Sequence, residues 1–388
     1  MIKKEITFIY YDTSDKSLYT PIAEEALKRG YKVKYSQNEF EKCEIGFYCQ
    51  HVNFPQYSKF SVIMLHDIVQ QHANWPNIWF YEPWNKYDIG ILPSKQWINN
   101  WNKCSHLYYV KPRIGVFEVG WPKADTVKYY DTKSKEKFRI ENKINPNKKT
   151  ILYAPSWEND NKQDDFVKAM LKLDVNILIK QGSWNSPKWL KTRPDISENI
   201  KKMNKLHSDI SNVIILDEQL NIFDAIAVSD VLVSEESSTM FEAIMMGIPA
   251  VSVSNWLIPD QSPSRYPKCN YDFVVKTTKE NLSECISTII NNYDDYKKEA
   301  EIFKNNNFSN IGSTSSIIMD IIDDCINGEK IRYKNIQANK KNNFYIVNYF
   351  KHIVVCIKKE LINNYAVRIP FIKKLYSLYL SGKRFLSK

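Results

Sequence analysis

Residues 234–253 read SEESSTMFEAIMMGIPAVSV. An apolar run, DVLVS (230–234), leads in, and an apolar helical run follows the polar letters. A strand ending at Val233, a polar turn and a helix opening near Ser237 or Ser238 make a strand–loop–helix unit, with IPAVSVS as the next strand. The first turn of a helix carries unpaired N–H groups and a positive dipole end, so it binds anions. Hydroxyls of Ser237, Ser238 and Thr239 add donors suited to phosphate. On this reading the stretch is a diphosphate cradle. One of Glu235 and Glu236 turns to ribose or polyol hydroxyls and the other caps the helix. A plain serine cap on a core helix explains the same letters, so the surroundings must decide.

The same alternation runs along the chain. EITFIYY, YKVKYS, IGFYCQH, FSVIMLHD and YDIGILPS read as strands. SLYTPIAEEALKRG reads as a helix closing at Gly30, and SKQWINNW opens a helix with Ser94 as its cap. Residues 131–150, DTKSKEKFRIENKINPNKKT, are polar and lysine-rich and read as a linker or domain boundary. A second series follows: ILYAPS, DDFVKAMLKLD, VNILIKQG, NVIILDE, IFDAIAVSD, VLVSEE, STMFEAIMMG and IPAVSVS. Strands separated by helices imply parallel sheets covered on both faces. The expected fold is α/β with two doubly wound, Rossmann-like domains, and in such sheets ligands bind at the carboxyl ends of the strands. The expected boundaries are 1–140 for an acceptor-side domain, 141–330 for a nucleotide-donor domain and 331–388 for a basic tail.

Composition narrows the function. The chain has 388 residues, 43% of them hydrophobic and 25% charged, which fits a globular protein of two domains. No stretch approaches the ~20 apolar residues of a membrane span. The N-terminus lacks a small-residue cleavage site and reads as a first strand, not a signal peptide. Seven cysteines without CxxC pairs point to reduced thiols in the cytoplasm and to no zinc or other metal site. The net charge of +10 is uneven: residues 351–388 hold nine Lys/Arg against Glu360. A nucleic-acid-binding body would spread such charge over a domain face, so no nucleic-acid partner is expected. In the tail, aromatic and aliphatic residues alternate with basic ones at helical spacing, and Pro370 divides it. Basic amphipathic helices of this kind lie on anionic membrane surfaces; terminal helices with solvated lysines are the plainer alternative.

Other stretches add chemistry. VIMLHDIVQQ ends a buried strand at His66, followed by Asp67, which puts an imidazole on the crevice rim where it can act as a general base. FEVGWPKADTV (117–127) and ILYAPSWEND (151–160) face the same cleft, the latter through a Pro-Ser-Trp turn. Arg265, His72 and Trp75 are weaker candidates on loops.

In order and spacing these stretches resemble the CDP-glycerol glycerophosphotransferase family, the primases and polymerases of teichoic acid and related capsule polymers. The matching positions are His66, Gly120-Trp121-Pro122-Lys123-Ala124-Asp125 for a GYPRND-like segment, Leu152 to Trp157 for an LYAPTWR-like strand, and Glu235-Glu236-Ser237-Ser238 for a DYSS-like turn. The resemblance covers roughly residues 60–325. It implies a GT-B fold and displacement at phosphorus or at a sugar carbon, with no required metal or cofactor. His66, oriented by Asp67, is then the base for the acceptor hydroxyl. Ser156, Trp157, Ser237, Ser238 and Thr239 hold the cytidine diphosphate part. The donor implied is CDP-glycerol and the acceptor a lipid-linked or glycan chain, with the protein peripheral at the inner face of the cell membrane.

Two departures leave the donor open. The family's second histidine, in an R-x-H-P-like turn, is replaced here by Lys180-Gln181-Gly182. Lys180 then supplies a point cation, or Gly182 lets backbone approach a phosphate. Glu235-Glu236 stands where Asp-Tyr is usual. The helix SSTMFEAIMMG also resembles nucleotide-sugar glycosyltransferases, in which the acid, here Glu242, bonds the ribose. CDP-ribitol, a nucleotide sugar, or a non-catalytic polymer-binding scaffold therefore remain alternatives, with a 2-epimerase of the same fold less supported. The oligomeric state is open.

Overall fold

Alternating apolar strands and amphipathic helices build two parallel sheets in the computed structural model of the chain. It describes residues 2–11, 13–49, 53–66, 68, 79, 82–256 and 273–337. Asp67, His72, Trp75, Arg265 and the tail from residue 338 lie outside the described residues.

The first sheet holds β1 (Glu5–Ile9), β2 (Lys32–Ser36), β3 (Cys43–Tyr48), β4 (Ser58–Ile63), β5 (Ile89–Leu92) and β6 (Gly115–Glu118), in the order β2-β1-β3-β4-β5-β6. Its central strands are buried along almost their whole length, as a parallel sheet covered on both faces requires. Helix α1 (Thr13–Lys28) follows β1. Helix α2 (Lys95–Cys104) begins as its cap anticipates, with Ser94 Oγ accepting from the Trp97 N–H at 3.3 Å.

The second sheet holds β7 (Lys149–Tyr153), β8 (Val175–Ile179), β9 (Val213–Ile215), β10 (Val231–Ser234), β11 (Ala250–Val253) and β12 (Val275–Thr277), in the order β12-β11-β10-β7-β8-β9. The order reverses between β7 and β10, and that is where an open α/β sheet binds its ligand. Its helices are α3 (Thr132–Glu141), α4 (Lys162–Met170), α5 (Pro187–Thr192), α6 (Pro194–His207), α7 (Ile222–Ala227), α8 (Thr239–Met245), α9 (Leu282–Asn291) and α10 (Tyr293–Asn307). Two such sheets facing a cleft form the GT-B arrangement.

The stretch 131–150, expected as a linker or domain boundary, runs between β6 and β7, but it is not all irregular chain. Ten of its residues form α3, capped by Asp131 Oδ1, which accepts from the Ser134 N–H at 2.7 Å. No residue of α3 is fully buried, so the helix shows no apolar face in its sequence. Its lysines and glutamates are good helix formers, and the cap sets its start.

The chain then returns to the first sheet. Helix α11 (Thr314–Asn327) packs on α1, where the Arg29 guanidinium reaches Asp320 at 2.6 Å and Asp323 at 3.1 Å. Beyond it, Asn335 pairs with Phe117 of β6 in an antiparallel bridge. Among the described residues, no helix is long and apolar enough to cross a membrane and no cluster of His, Cys, Asp or Glu is placed to hold a metal. Cys43, Cys49, Cys104, Cys285 and Cys325 form no disulfide among the described residues.

Candidate active site

At the switch point, the turns that follow β7 and β10 are sewn together. The Ala154 N–H donates to Val233 O at 3.1 Å, and both Ser234 Oγ and Thr239 Oγ1 donate to Ala154 O, at 2.7 and 3.1 Å. Glu235 is fully buried between them. Its Oε1 accepts from the Ser156 N–H (2.8 Å), the Trp157 N–H (3.4 Å) and Lys162 Nζ (3.2 Å), while Oε2 lies 2.9 Å from Ser234 Oγ and competes with Ala154 O for its one proton. The Ser252 hydroxyl donates to the Glu235 carbonyl at 2.5 Å. The first glutamate of SEESST is therefore an internal brace that shapes the 156–157 turn. Burying a carboxylate there is tolerable because Lys162, itself 1% exposed, and the N–H groups of Ser156 and Trp157 compensate it.

A cavity of about 1280 Å³ opens above this junction. His66, just beyond β4 of the first sheet, lines it together with Ser156, Trp157 and the 236–239 turn of the second sheet. The proposed base and the proposed phosphate cradle thus share one space. Ser237 Oγ accepts from the Thr239 N–H at 3.3 Å and keeps its own proton to donate. Thr239 differs: its hydroxyl proton goes to Ala154, so it fastens the turn.

Lys180, Gln181 and Gly182 follow β8 and also line the cavity, in three different ways. Lys180 is 7% exposed and donates to two backbone carbonyls, Gln181 O at 2.9 Å and Glu218 O at 3.0 Å. Burial pushes its pKa down to about 8, and the charge of Lys123 adds to the shift. The Gln181 amide is spent inward, on Glu158 Oε2 (2.9 Å) and Gln163 Oε1 (2.7 Å). Gln163 in turn donates to His207 Nδ1 at 3.2 Å, which leaves the proton of that ring on Nε2, facing Asp164 at 3.2 Å. Gly182 makes room for an indole: an added Cβ would meet Trp184 Nε1 at 2.9 Å. That Nε1 donates to Ser156 O at 3.1 Å. Trp157 stands edge-on to Trp184, ring centroids 5.5 Å apart, under the Arg193 guanidinium at 4.2 Å.

The segment 120–125 joins the two halves. Gly120 takes φ +109, and a Cβ there would meet Ser309 O at 2.5 Å, so only glycine fits. Trp121 Nε1 (3.2 Å) and Lys123 Nζ (2.7 Å) both donate to Glu242 Oε1 on α8. Asp125 accepts from the N–H groups of Thr314 (2.8 Å) and Ser315 (2.7 Å), capping α11 from a distance. Glu242, read from sequence as a ribose contact, thus meets the first half of the chain through Lys123 and Trp121 while still lining the cavity.

Sequence reasoning missed Lys162, Trp184 and the role of Lys123. Only Lys123 left a signal, as the basic residue where a GYPRND-like segment has arginine.

The family model described as CDP-Glycerol:Poly(glycerophosphate) glycerophosphotransferase matches residues 64–322, more than half of the chain. The chain belongs to that family. It is accordingly a transferase, and the resemblance read from its motifs holds. Among solved structures it is similar to the wall teichoic acid polymerase TagF soaked with CDPG, at 15% identity and a TM-score of 0.59, over 84% of this chain and 89% of that one. It is also similar to a putative UDP-N-acetylglucosamine 2-epimerase from Listeria monocytogenes, at 12% identity and a TM-score of 0.57, over 86% and 99% of the two chains. The UDP-GlcNAc 2-epimerase from Neisseria meningitidis bound to UDP-GlcNAc is similar at 14% identity and a TM-score of 0.54, over 81% and 98%. At these identities the likeness establishes the GT-B fold alone. No curated protein sequence matches the chain.

Proposed function

We propose that the transferase moves a glycerophosphate, or a related polyol phosphate, from a CDP-linked donor to a membrane-associated glycan or lipid-linked acceptor in teichoic-acid-type polymer synthesis. The observation that carries this reading is the shared cavity, with His66 from one sheet and the 236–239 turn from the other. Family membership supports the donor class.

His66 takes the proton of the acceptor hydroxyl, the acceptor oxygen forms a bond to the polyol-bearing phosphorus, and the phosphoanhydride bond to CMP breaks. Ser237, Ser238 and Lys180 meet the charge that develops on the departing phosphate. Trp157 contacts the nucleoside part, and Glu236 its hydroxyls. In this scheme residues 1–140 serve the acceptor, residues 141–330 hold the donor, and the tail from 331 brings the protein to the inner face of the membrane. The concentration of basic charge over 351–388 supports the last point.

Incubation with CDP-glycerol and membranes is expected to release CMP in step with glycerophosphate incorporation. Turnover of UDP-sugars with none of CDP-glycerol would replace this reading with the glycosyltransferase one. No nucleotide release from any donor would favour a scaffold.

The pH dependence follows from Lys180. With a pKa of about 8 in the free protein, its cation is present below that pH and is lost as pH rises through it. Because kcat/KM reports groups of the free enzyme, it is expected to fall above about pH 8. Lys180→Arg keeps its charge at all working pH values, so it should move that limb upward. A limb unchanged in the arginine variant rules out Lys180 as its source.

A further inference from the structure

Lys123 has no part in the scheme above, yet it is an ammonium group lining the donor cavity from the opposite half of the chain. Its side chain is 19% exposed, and its one fixed partner among the described residues is Glu242 Oε1 at 2.7 Å. Glu242 lies in the first turn of α8, and Lys123, Glu242 and the 237–239 turn line the same cavity. An ammonium has three donors. One is engaged on Glu242, which leaves two for a ligand. Lys180, on the other side, has two of its three donors on carbonyls and one left. The charge of Lys123 depresses the pKa of Lys180, so the two ammonium groups are within electrostatic reach of one another. Two mutually repelling cations in one partly dry space are stabilised by a polyanion between them.

We infer that Lys123 is a second cation of the donor's phosphate site, reaching across from the acceptor half to bridge Glu242 and the diphosphate. This rests on the proposed reading of the cavity as the donor site. Contact by Lys123 ties donor binding to the position of the first half, because the same segment carries Trp121 onto Glu242 and Asp125 onto α11. Glu242 is then the holder of Lys123 as well as its counter-charge. It keeps the ammonium at the cradle and cancels part of its field.

The sign of two substitutions separates this role from a plain bridge between halves. In calorimetry with inorganic pyrophosphate and with CDP, Lys123→Gln is expected to weaken binding about tenfold, the size of one charge-assisted contact. Lys123→Arg should stay within about threefold of the parent. Glu242→Gln keeps an acceptor for Trp121 but removes the counter-charge, so pyrophosphate should bind about threefold or more tightly, with a steeper salt dependence. Thermal unfolding of each variant, followed by tryptophan fluorescence, shows that a folded protein is being compared. The inference is overturned if folded Lys123→Gln binds pyrophosphate as the parent does, or if both variants weaken it in parallel. The pyrophosphate arm reads the anion site whatever the nucleoside. A protein that binds pyrophosphate through Lys123 but prefers UDP over CDP would overturn the donor assignment and leave this inference standing.

Discussion

Replacing His66 with alanine is expected to lower turnover about a hundred- to ten-thousand-fold, the span of a positioned general base, while leaving donor affinity within a factor of two to three. The two effects separate because His66 follows β4 of the first sheet, whereas the phosphate cradle, Lys180 and the 156–157 turn belong to the second. Steady-state kinetics with CDP-glycerol, together with calorimetry of CDP, measures both. A variant that turns over at the parent rate removes His66 from the mechanism. One that loses donor affinity and rate together moves it into the donor site.

The second large effect concerns Glu235. Replacing it with alanine leaves Lys162 charged, 1% exposed and without its carboxylate. It also strips the acceptor from the N–H groups of Ser156 and Trp157. Breaking one side of a buried pair costs about 3–5 kcal/mol, a large share of a typical stability of about 5–15 kcal/mol. Urea unfolding of Glu235→Ala should show that loss, and donor affinity should fall because the 156–157 turn loses its brace. Pairing Glu235→Gln with Lys162→Met neutralises both groups and is expected to recover most of the stability. A loss below about 1 kcal/mol in the alanine variant would mean that the pair is far weaker than its burial implies.

Much of the architecture was legible because burial in parallel sheets leaves continuous apolar runs. ILYAPS, VNILIKQG and VLVSEE all proved to be strands, and Ser94 announced α2. Helix α6 went unread, although Ile196, Ile200 and Met203 stand at helical spacing. Helix α3 was not legible, since it packs no fully buried residue and its lysine-rich surface looks like a linker. At the site, residue types were legible but orientations were not. Glu235 and Glu236 are neighbours of identical chemistry, yet one is a sealed brace and the other lines the cavity. Only the meeting of β7 with β10 decides between them, and that contact spans about 80 residues of chain, as the Ser156–Glu235 separation of 79 shows. Gln181 was hidden for the same reason, since its partners Glu158 and Gln163 come from another part of the chain, whereas Gly182 makes room for Trp184 of its own turn.

The most direct test is a crystal of the protein soaked with CDP-glycerol. The diphosphate is expected beside Ser237 and Ser238 within reach of Lys180, with the glycerol-bearing phosphorus facing His66. Nucleotide bound elsewhere, or bound with that phosphorus turned away from the imidazole, would contradict the account.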